Sequence, residues 1–294
     1  MKTEEIANRA GEFEQHRSRL FGLAYRMLGM RAEAEDIVQE AYLRWHSADH
    51  DSLRSPEAWL VTVTTRLCID RLRALEADRV SYFGEWLPEP IVDLHPKQRP
   101  DHSLEQREDI SMAFLYVLQR LGPEERAAFL LHEVLDTDYP SISEALGKSE
   151  SAVRQMVHRA RERVKTDRPR FEVDQEQHRA IVGRFVEAAT AADEGALMAL
   201  FAENATWTSD GGGKAAAAVN VLHGNRTLTK FVLGVRAKAA GTDFRLEFVS
   251  VNQTPGLVAW YEGHVFAVYS FDTNGSQITG VYTVLNPDKL KGVA

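Results

Sequence analysis

A single cysteine, Cys68, is present in 294 residues. That excludes an internal disulfide and any zinc site built from several thiolates. No apolar run approaches the ~20 residues of a membrane-spanning helix. An excess of positive charge is also missing, because the formal net charge is -8. Any nucleic-acid partner must therefore be met by local basic patches rather than by the field of the whole molecule. The first fifteen residues, MKTEEIANRAGEFEQ, lack the basic start and apolar stretch of a signal peptide. No cofactor or metal motif is present. These absences lead to the expectation of a cytoplasmic protein. Its length suits two or three domains, and 44% hydrophobic residues are enough to build their cores.

What is present is clearest at residues 141–164, SISEALGKSESAVRQMVHRARERV. Two short helices joined by a tight turn are predicted. Ser141 stands three residues before Glu144, a capping-box spacing. Gly147 suits a left-handed turn residue and Ser149 the cap of the second helix. Val153, Met156, Val157, Ala160 and Val164 make one apolar stripe. Arg154, Gln155, His158, Arg159 and Arg161 point elsewhere. This is the pattern of a helix-turn-helix whose second helix enters the DNA major groove; a helical hairpin with a solvated basic face is the plainer reading. Residues 148–170 carry eight Lys or Arg against three acids, so the duplex-binding charge is concentrated there.

Upstream, residues 8–75 read as helices throughout. Residues 31–45, RAEAEDIVQEAYLRW, carry an apolar stripe at helical spacing and an acidic face of Glu33, Asp36 and Glu40, with Arg44 placed to pair with Glu40. Such a face is either simply solvated or a docking surface for a basic partner. Ser55 and Pro56 open the next helix. On it Trp59, Thr62, Arg66 and Arg73 lie apart from the Leu60, Val63 and Leu67 stripe. Arginine and threonine beside an aromatic ring can grip a backbone and stack an unpaired base; a polar outer face is the alternative.

The segment 80–100 holds Pro88, Pro90, Pro96 and Pro100 and reads as a linker. Helical patterns resume from about Leu104 to Thr166, with Gly122-Pro123 as a helix start. Pro169 marks the next boundary. Residues 175–192 and 194–201 read as helices. Beyond Asn204 the pattern favours strand at 242–251, 256–267 and 277–285, with Pro255-Gly256 and Asn274-Gly275 as turns. Helices followed by strands indicate an α+β domain. Asp210, His223 and His264 are candidate pocket residues for an enzymatic reading, although no pair forms a dyad by spacing. Residues 210–214, DGGGK, lack the spacing of a phosphate loop, and Ala215 stands where Ser or Thr is needed. Three glycines suit a loop that approaches a neighbouring surface closely.

The strings LFGLAYRMLGMRAEAEDIVQEAYLRW and SPEAWLVTVTTRLCIDRLR, followed after a gap by the helix-turn-helix, resemble a bacterial extracytoplasmic-function sigma factor. The remainder resembles a subgroup with a SnoaL-like extension, a cone of the nuclear-transport-factor type. The closer match rests on Trp86, Leu87, Pro88, Glu89 and Pro90; on Asp210, Gly211, Gly212, Gly213 and Lys214; and on Asn286, Pro287, Asp288, Lys289 and Leu290. The resemblance implies a multidomain fold, with an all-α first half and an α+β cone. The implied domains are a sigma-two domain at 8–75, a linker at 76–107, a sigma-four domain at 108–168 and a regulatory domain at 171–294. It implies that Glu33, Asp36 and Glu40 dock on core RNA polymerase. Trp59, Thr62, Thr65, Arg66, Asp70 and Arg73 would meet the opened minus-ten element of promoter DNA. Ser149, Ser151, Arg154, Gln155, His158, Arg159 and Arg161 would meet the minus-thirty-five element. The implied function is promoter-directed initiation, not catalysis, with the three short strings in contact and the extension regulating in cis. A small-molecule ligand of the cone is left open. The alternative is a ligand-responsive helix-turn-helix repressor or activator that needs no polymerase.

Overall fold

The computed structural model describes residues 2–50, 53, 55–94, 110–167 and 173–293. Pro96, Pro100, the resumption of helix at Leu104 and the basic tail at Arg168, Pro169 and Arg170 lie outside these residues. The described chain divides into two compact units. One is built from α1 (Lys2–Leu28), α2 (Arg31–Ser47), α3 (Pro56–Val80), α5 (Pro123–Glu133), α6 (Tyr139–Leu146) and α7 (Glu150–Asp167). The other holds residues 81–94, 110–116 and 173–293. The all-α first half and the α+β second half match the expectation.

Local chemistry sets the helix ends of the first unit. The Ser55 hydroxyl accepts from the Ala58 amide at 3.3 Å, and Pro56 takes the first helical position of α3. Pro123 opens α5 in the same way. In the helix-turn-helix, Asp138 rather than Ser141 caps α6: its carboxylate accepts from the Ser141 amide at 3.0 Å. An aspartate one residue before Tyr139-Pro140 is the better cap, because Pro140 needs no amide partner. Gly147 ends α6 at φ 63°, and the Ser149 hydroxyl accepts from the Ala152 amide at 3.3 Å to start α7. Val153, Met156, Val157 and Ala160 are buried, as their spacing requires.

The second unit is a seven-stranded sheet in the order β1-β4-β5-β6-β7-β2-β3. Its strands are β1 (Val92–Asp93), β2 (Phe201–Asp210), β3 (Leu222–His223), β4 (Phe244–Val251), β5 (Thr254–Tyr261), β6 (His264–Thr273) and β7 (Ile278–Val284). Neighbours pair antiparallel except β2 with β7. Helices α8 (Gln175–Ala191), α9 (Glu194–Leu200) and α10 (Asn225–Lys238) supply apolar side chains to a core on one face. Phe185, Leu197, Leu228, Trp207, Leu257 and Phe271 belong to that core. On the other face Leu87, Met112, Val249, Val258, Val268, Val284 and Leu290 form a second core, with Met112 from α4 (Met112–Leu118).

The structure differs from the sequence reading at four points. Residues 256–267 are not one strand, because the chain reverses at Glu262-Gly263, both at positive φ. Pro255-Gly256 is not a turn; the reversal lies at Asn252 and Gln253 (φ 50° and 65°), and Gly256 sits within β5. A helix, α10, stands between Asn204 and the first expected strand at 242, where no element was expected. Residues 81–94, expected as a linker, run along the C-terminal sheet: Val92 pairs with Val251, and the Asn252 amide donates to Ile91 O at 2.8 Å.

Candidate functional site

On α7 the side chains of Arg154, Gln155, His158 and Arg159 are exposed while the opposite stripe is buried. Arg154 lies 3.5 Å from Glu150, and its guanidinium sits 4.1 Å above the Tyr139 ring. Arg159 and Arg163 each stand 3.2 Å from Glu125 on α5. Arg161 turns back to Glu133 at 2.5 Å, which holds its guanidinium above its ordinary value. The exposed Ser151 hydroxyl is 3.1 Å from that of Ser149. A row of donors therefore lines one face of a helix at the far side of a tight turn. Arginine and glutamine are side chains whose donors suit base edges and phosphates in a major groove.

On α3, Trp59, Thr62, Arg66, Asp70 and Arg73 fall along one face. Arg66, Asp70 and Arg73 are exposed, and Arg73 lies 3.5 Å from Asp70. Thr65 is fully buried and donates to Val61 O at 2.7 Å, so it faces the interior of the unit in this structure. The Trp59 ring lies 5.8 Å from the ring of Trp45. On α2 the acidic residues differ. Glu33 receives Arg71 at 2.5 and 2.6 Å, Glu40 pairs with Arg44 at 3.0 Å, and Asp36 is exposed.

The short strings of the second unit meet around Asp210, the last residue of β2, whose side chain is fully buried. Its Oδ1 accepts from the Tyr82 hydroxyl at 2.6 Å. Its Oδ2 accepts from the Leu87 amide at 2.9 Å and from Lys289 Nζ at 2.7 Å. Lys289 also donates to Leu87 O at 2.5 Å and places its ammonium 3.9 Å from the Trp86 ring centroid. Asn286 Nδ2 donates to the Tyr82 hydroxyl at 2.8 Å. The amides of Leu285 and Asn286 donate to Asp210 O at 2.8 and 2.9 Å. Burial, then the Asp210 carboxylate, push the Tyr82 phenol above its ordinary range. Lysine and aspartate so buried are stable only as a fully hydrogen-bonded pair.

Around this centre the loop is tightly fitted. Gly212 has φ 58°, and a Cβ there would lie 2.3 Å from Asn286 Nδ2. Gly213 stands against Phe83, and the Lys214 and Ala215 amides close the turn onto Gly211 O. Lys214 pairs with Asp288, and Lys291 reaches the same carboxylate at 3.0 Å. Those two ammonium groups lower Asp288 to about 2. Pro88, Pro90 and Leu290 are buried and Glu89 half-buried. The three candidate pocket residues of the enzymatic reading do not converge: Asp210 is held by Lys289, while His223 and His264 are exposed on β3 and at the start of β6. Tyr82 and Asn252 were missed by sequence reasoning. Asn252 ties Ile91 and Ile110 to the β4–β5 turn, at 3.0 and 2.9 Å.

Comparison with known proteins gives this geometry its context. The model for Sigma-70 region 2 matches residues 13–77, and that for Sigma-70, region 4 matches residues 111–164. The ECF RNA polymerase sigma factor SigJ of Mycobacterium tuberculosis is 36% identical over 290 residues, 96% of this chain and 93% of that protein. The chain belongs to the ECF RNA polymerase sigma factors. A crystal structure of M. tuberculosis SigJ covers 96% of this sigma factor and 98% of that chain, with a TM-score of 0.79 and 33% identity. The probable ECF sigma factor SigI of the same organism is 33% identical over 189 residues, covering 62% of this chain and 63% of that one. In this sigma factor, region 2 thus contains α2 and α3, and region 4 contains the helix-turn-helix. No described helix is long and apolar enough to cross a membrane.

Proposed function

We propose that this sigma factor directs core RNA polymerase to particular promoters in the bacterial cytoplasm, and that its C-terminal domain regulates that activity in cis. Glu33, Asp36 and Glu40 on α2 dock on the polymerase. Trp59, Thr62, Arg66, Asp70 and Arg73 on α3 meet the opened minus-ten element, and Thr65 supports that helix from within. Arg154, Gln155, His158 and Arg159 on α7, with Ser149, Ser151 and Arg161 nearby, read the minus-thirty-five element. The domains run 8–75, 108–168 and 171–294, with 76–107 joining the first two. The chain is a transcription factor rather than an enzyme.

One observation supports regulation in cis: the Asp210–Lys289 pair clasps the backbone of Leu87, in the segment that joins the two promoter-reading domains. Two promoter elements must be gripped at a fixed separation. A clasp on the joining segment limits how far apart their readers can travel, so fastening or releasing it alters initiation. Run-off transcription with core polymerase over a promoter library tests this, comparing the full chain with one ending at residue 170. Truncation is expected to change rate or promoter selection. Equal rates and selection would remove the regulatory role, and a full chain that leaves core polymerase non-specific would remove the sigma-factor role.

A further inference from the structure

The arginines of α7 use their guanidinium groups in two ways. The five N–H donors of a guanidinium all lie in its plane, so its edge donates while its flat face stacks. Arg159 and Arg163 turn toward α5, each with a nitrogen 3.2 Å from a different oxygen of Glu125. Arg161 donates to Glu133, the last residue of the same helix, at 2.5 Å. Arg154 is held differently. Its guanidinium carbon lies 4.1 Å from the centre of the Tyr139 ring, over the ring. Its carboxylate partner, Glu150, is one turn back on α7 at 3.5 Å, longer than a good hydrogen bond. Stacking on a ring leaves the edge of the fork open, and the Arg154 side chain is 57% exposed.

The ring under Arg154 is itself fixed from elsewhere. Tyr139 is the first residue of α6, set in place by the Asp138 cap and followed by Pro140, whose φ is locked. The His132 ring of α5 lies 4.3 Å from the Tyr139 ring. His132 Nδ1 in turn lies 3.2 Å from Thr137 O, in the segment leading to the cap. The end of α5 and the start of α6 therefore place a half-buried platform beside a helix that they do not belong to. A free exposed arginine spreads over many rotamers and loses about 2 kcal/mol of entropy when it is pinned. A platform removes part of that loss in advance and fixes the direction of the fork.

We infer that Tyr139 is a positioning residue for sequence reading: its ring holds Arg154 face-on, so that the free edge of Arg154 meets the two major-groove acceptors of one guanine in the minus-thirty-five element. The inference rests on the minus-thirty-five role proposed above for α7, and adds which arginine reads a base and what aims it. Guanine is the base whose O6 and N7 match a guanidinium edge.

The test presents duplexes randomised over the minus-thirty-five element to the full chain, alone and with core polymerase, and reads base preference position by position. Arg154→Ala should lose a guanine preference at one base pair, a change of about 5- to 150-fold, as for any lost bidentate contact. Tyr139→Leu keeps an apolar side chain but removes the ring face. It should reduce the same preference by about two- to fivefold, the range of an exposed cation–π contact, and leave other positions unchanged. Tyr139→Phe keeps the face and should retain the preference. Tyr139→Leu added to Arg154→Ala should cause no further loss. Preference is a ratio within one variant, so a fall in folded fraction cancels. No guanine preference in the unaltered chain under either condition overturns the inference. So does full preference in the leucine variant, loss spread over all positions, or an equal loss in the phenylalanine variant. If the preference behaves as expected while core polymerase gives identical transcripts with and without the chain, the sigma-factor reading fails and the role of Tyr139 stands.

Discussion

The two units use charge in opposite ways. In the helical unit several ion pairs lie at the surface: the Arg159 side chain is 59% exposed beside Glu125, and Arg73 and Arg161, paired with Glu124 and Glu133, are likewise open to water. In the C-terminal unit the central pair is sealed, with Lys289 at 3% and Asp210 at 0% side-chain exposure. Surface pairs contribute little and can exchange one partner for another, including a phosphate. A buried pair contributes little net stability when whole but cannot lose one member without leaving an uncompensated charge. The helical unit is thus built to exchange partners, and the C-terminal unit to hold one segment in place.

That contrast can be broken at its strongest point first. Lys289→Ala should destabilise the C-terminal unit by about 3–5 kcal/mol, because it leaves Asp210 buried and unpaired. Amide hydrogen exchange along β2 and β7 in the full chain reads this directly. Protection there equal to the unaltered chain would mean that the pair is not a closed one.

A smaller effect concerns His178 on α8, which is buried and titrates at about 4 because burial disfavours its charged form. The folded value lies below the ordinary 6.5, so the unfolded chain takes up the proton first. Stability of the C-terminal unit is therefore full above pH 6.5 and falls toward pH 4. The fall amounts to roughly 3 kcal/mol at most, with no further loss from this group below. Chemical unfolding followed against pH should show that slope, and His178→Gln should flatten it. An unchanged slope in the variant would place the dependence elsewhere.

The smallest stability effect is expected at the surface. Arg159→Ala should change stability by under about 1 kcal/mol. It should nevertheless weaken duplex binding: by about 1–3 kcal/mol at one base pair if Arg159 reads a base, or across all sequences, with a salt slope shallower by about one, if it holds a phosphate. Fluorescence anisotropy with duplex DNA at several salt concentrations, beside thermal unfolding, separates the outcomes. Large unfolding with unchanged binding would reverse the comparison at this residue.

Much of the architecture was legible because it is written in local chemistry. Ser149, Gly147, Pro56 and Pro123 mark helix ends by their own hydrogen bonding and backbone preference, wherever the rest of the chain lies. Legibility failed where packing decides. Gly256 looked like a turn residue beside Pro255. Its role is contact, since a Cβ there would lie 2.6 Å from Tyr269 O and 2.7 Å from Val251 Cγ2. α10 carries Thr227, Thr229, Val232 and Val235, side chains that favour strand, and becomes helix by burying Leu228, Thr229 and Val232. Strand β1 has only two residues and exists because Val92 finds Val251. At the clasp, the short strings identified Asp210, Leu87 and Lys289 as a group through family resemblance. Their spacing alone, 79 residues between Asp210 and Lys289, carried no signal. Tyr82 and Asn252 had no motif to mark them.

The sigma-factor reading itself meets its most direct test in run-off transcription with purified core polymerase, over a promoter library, with and without the full chain. Initiation confined to a defined set of promoters only when the chain is added is the predicted result. Identical transcripts in its presence and absence would contradict it.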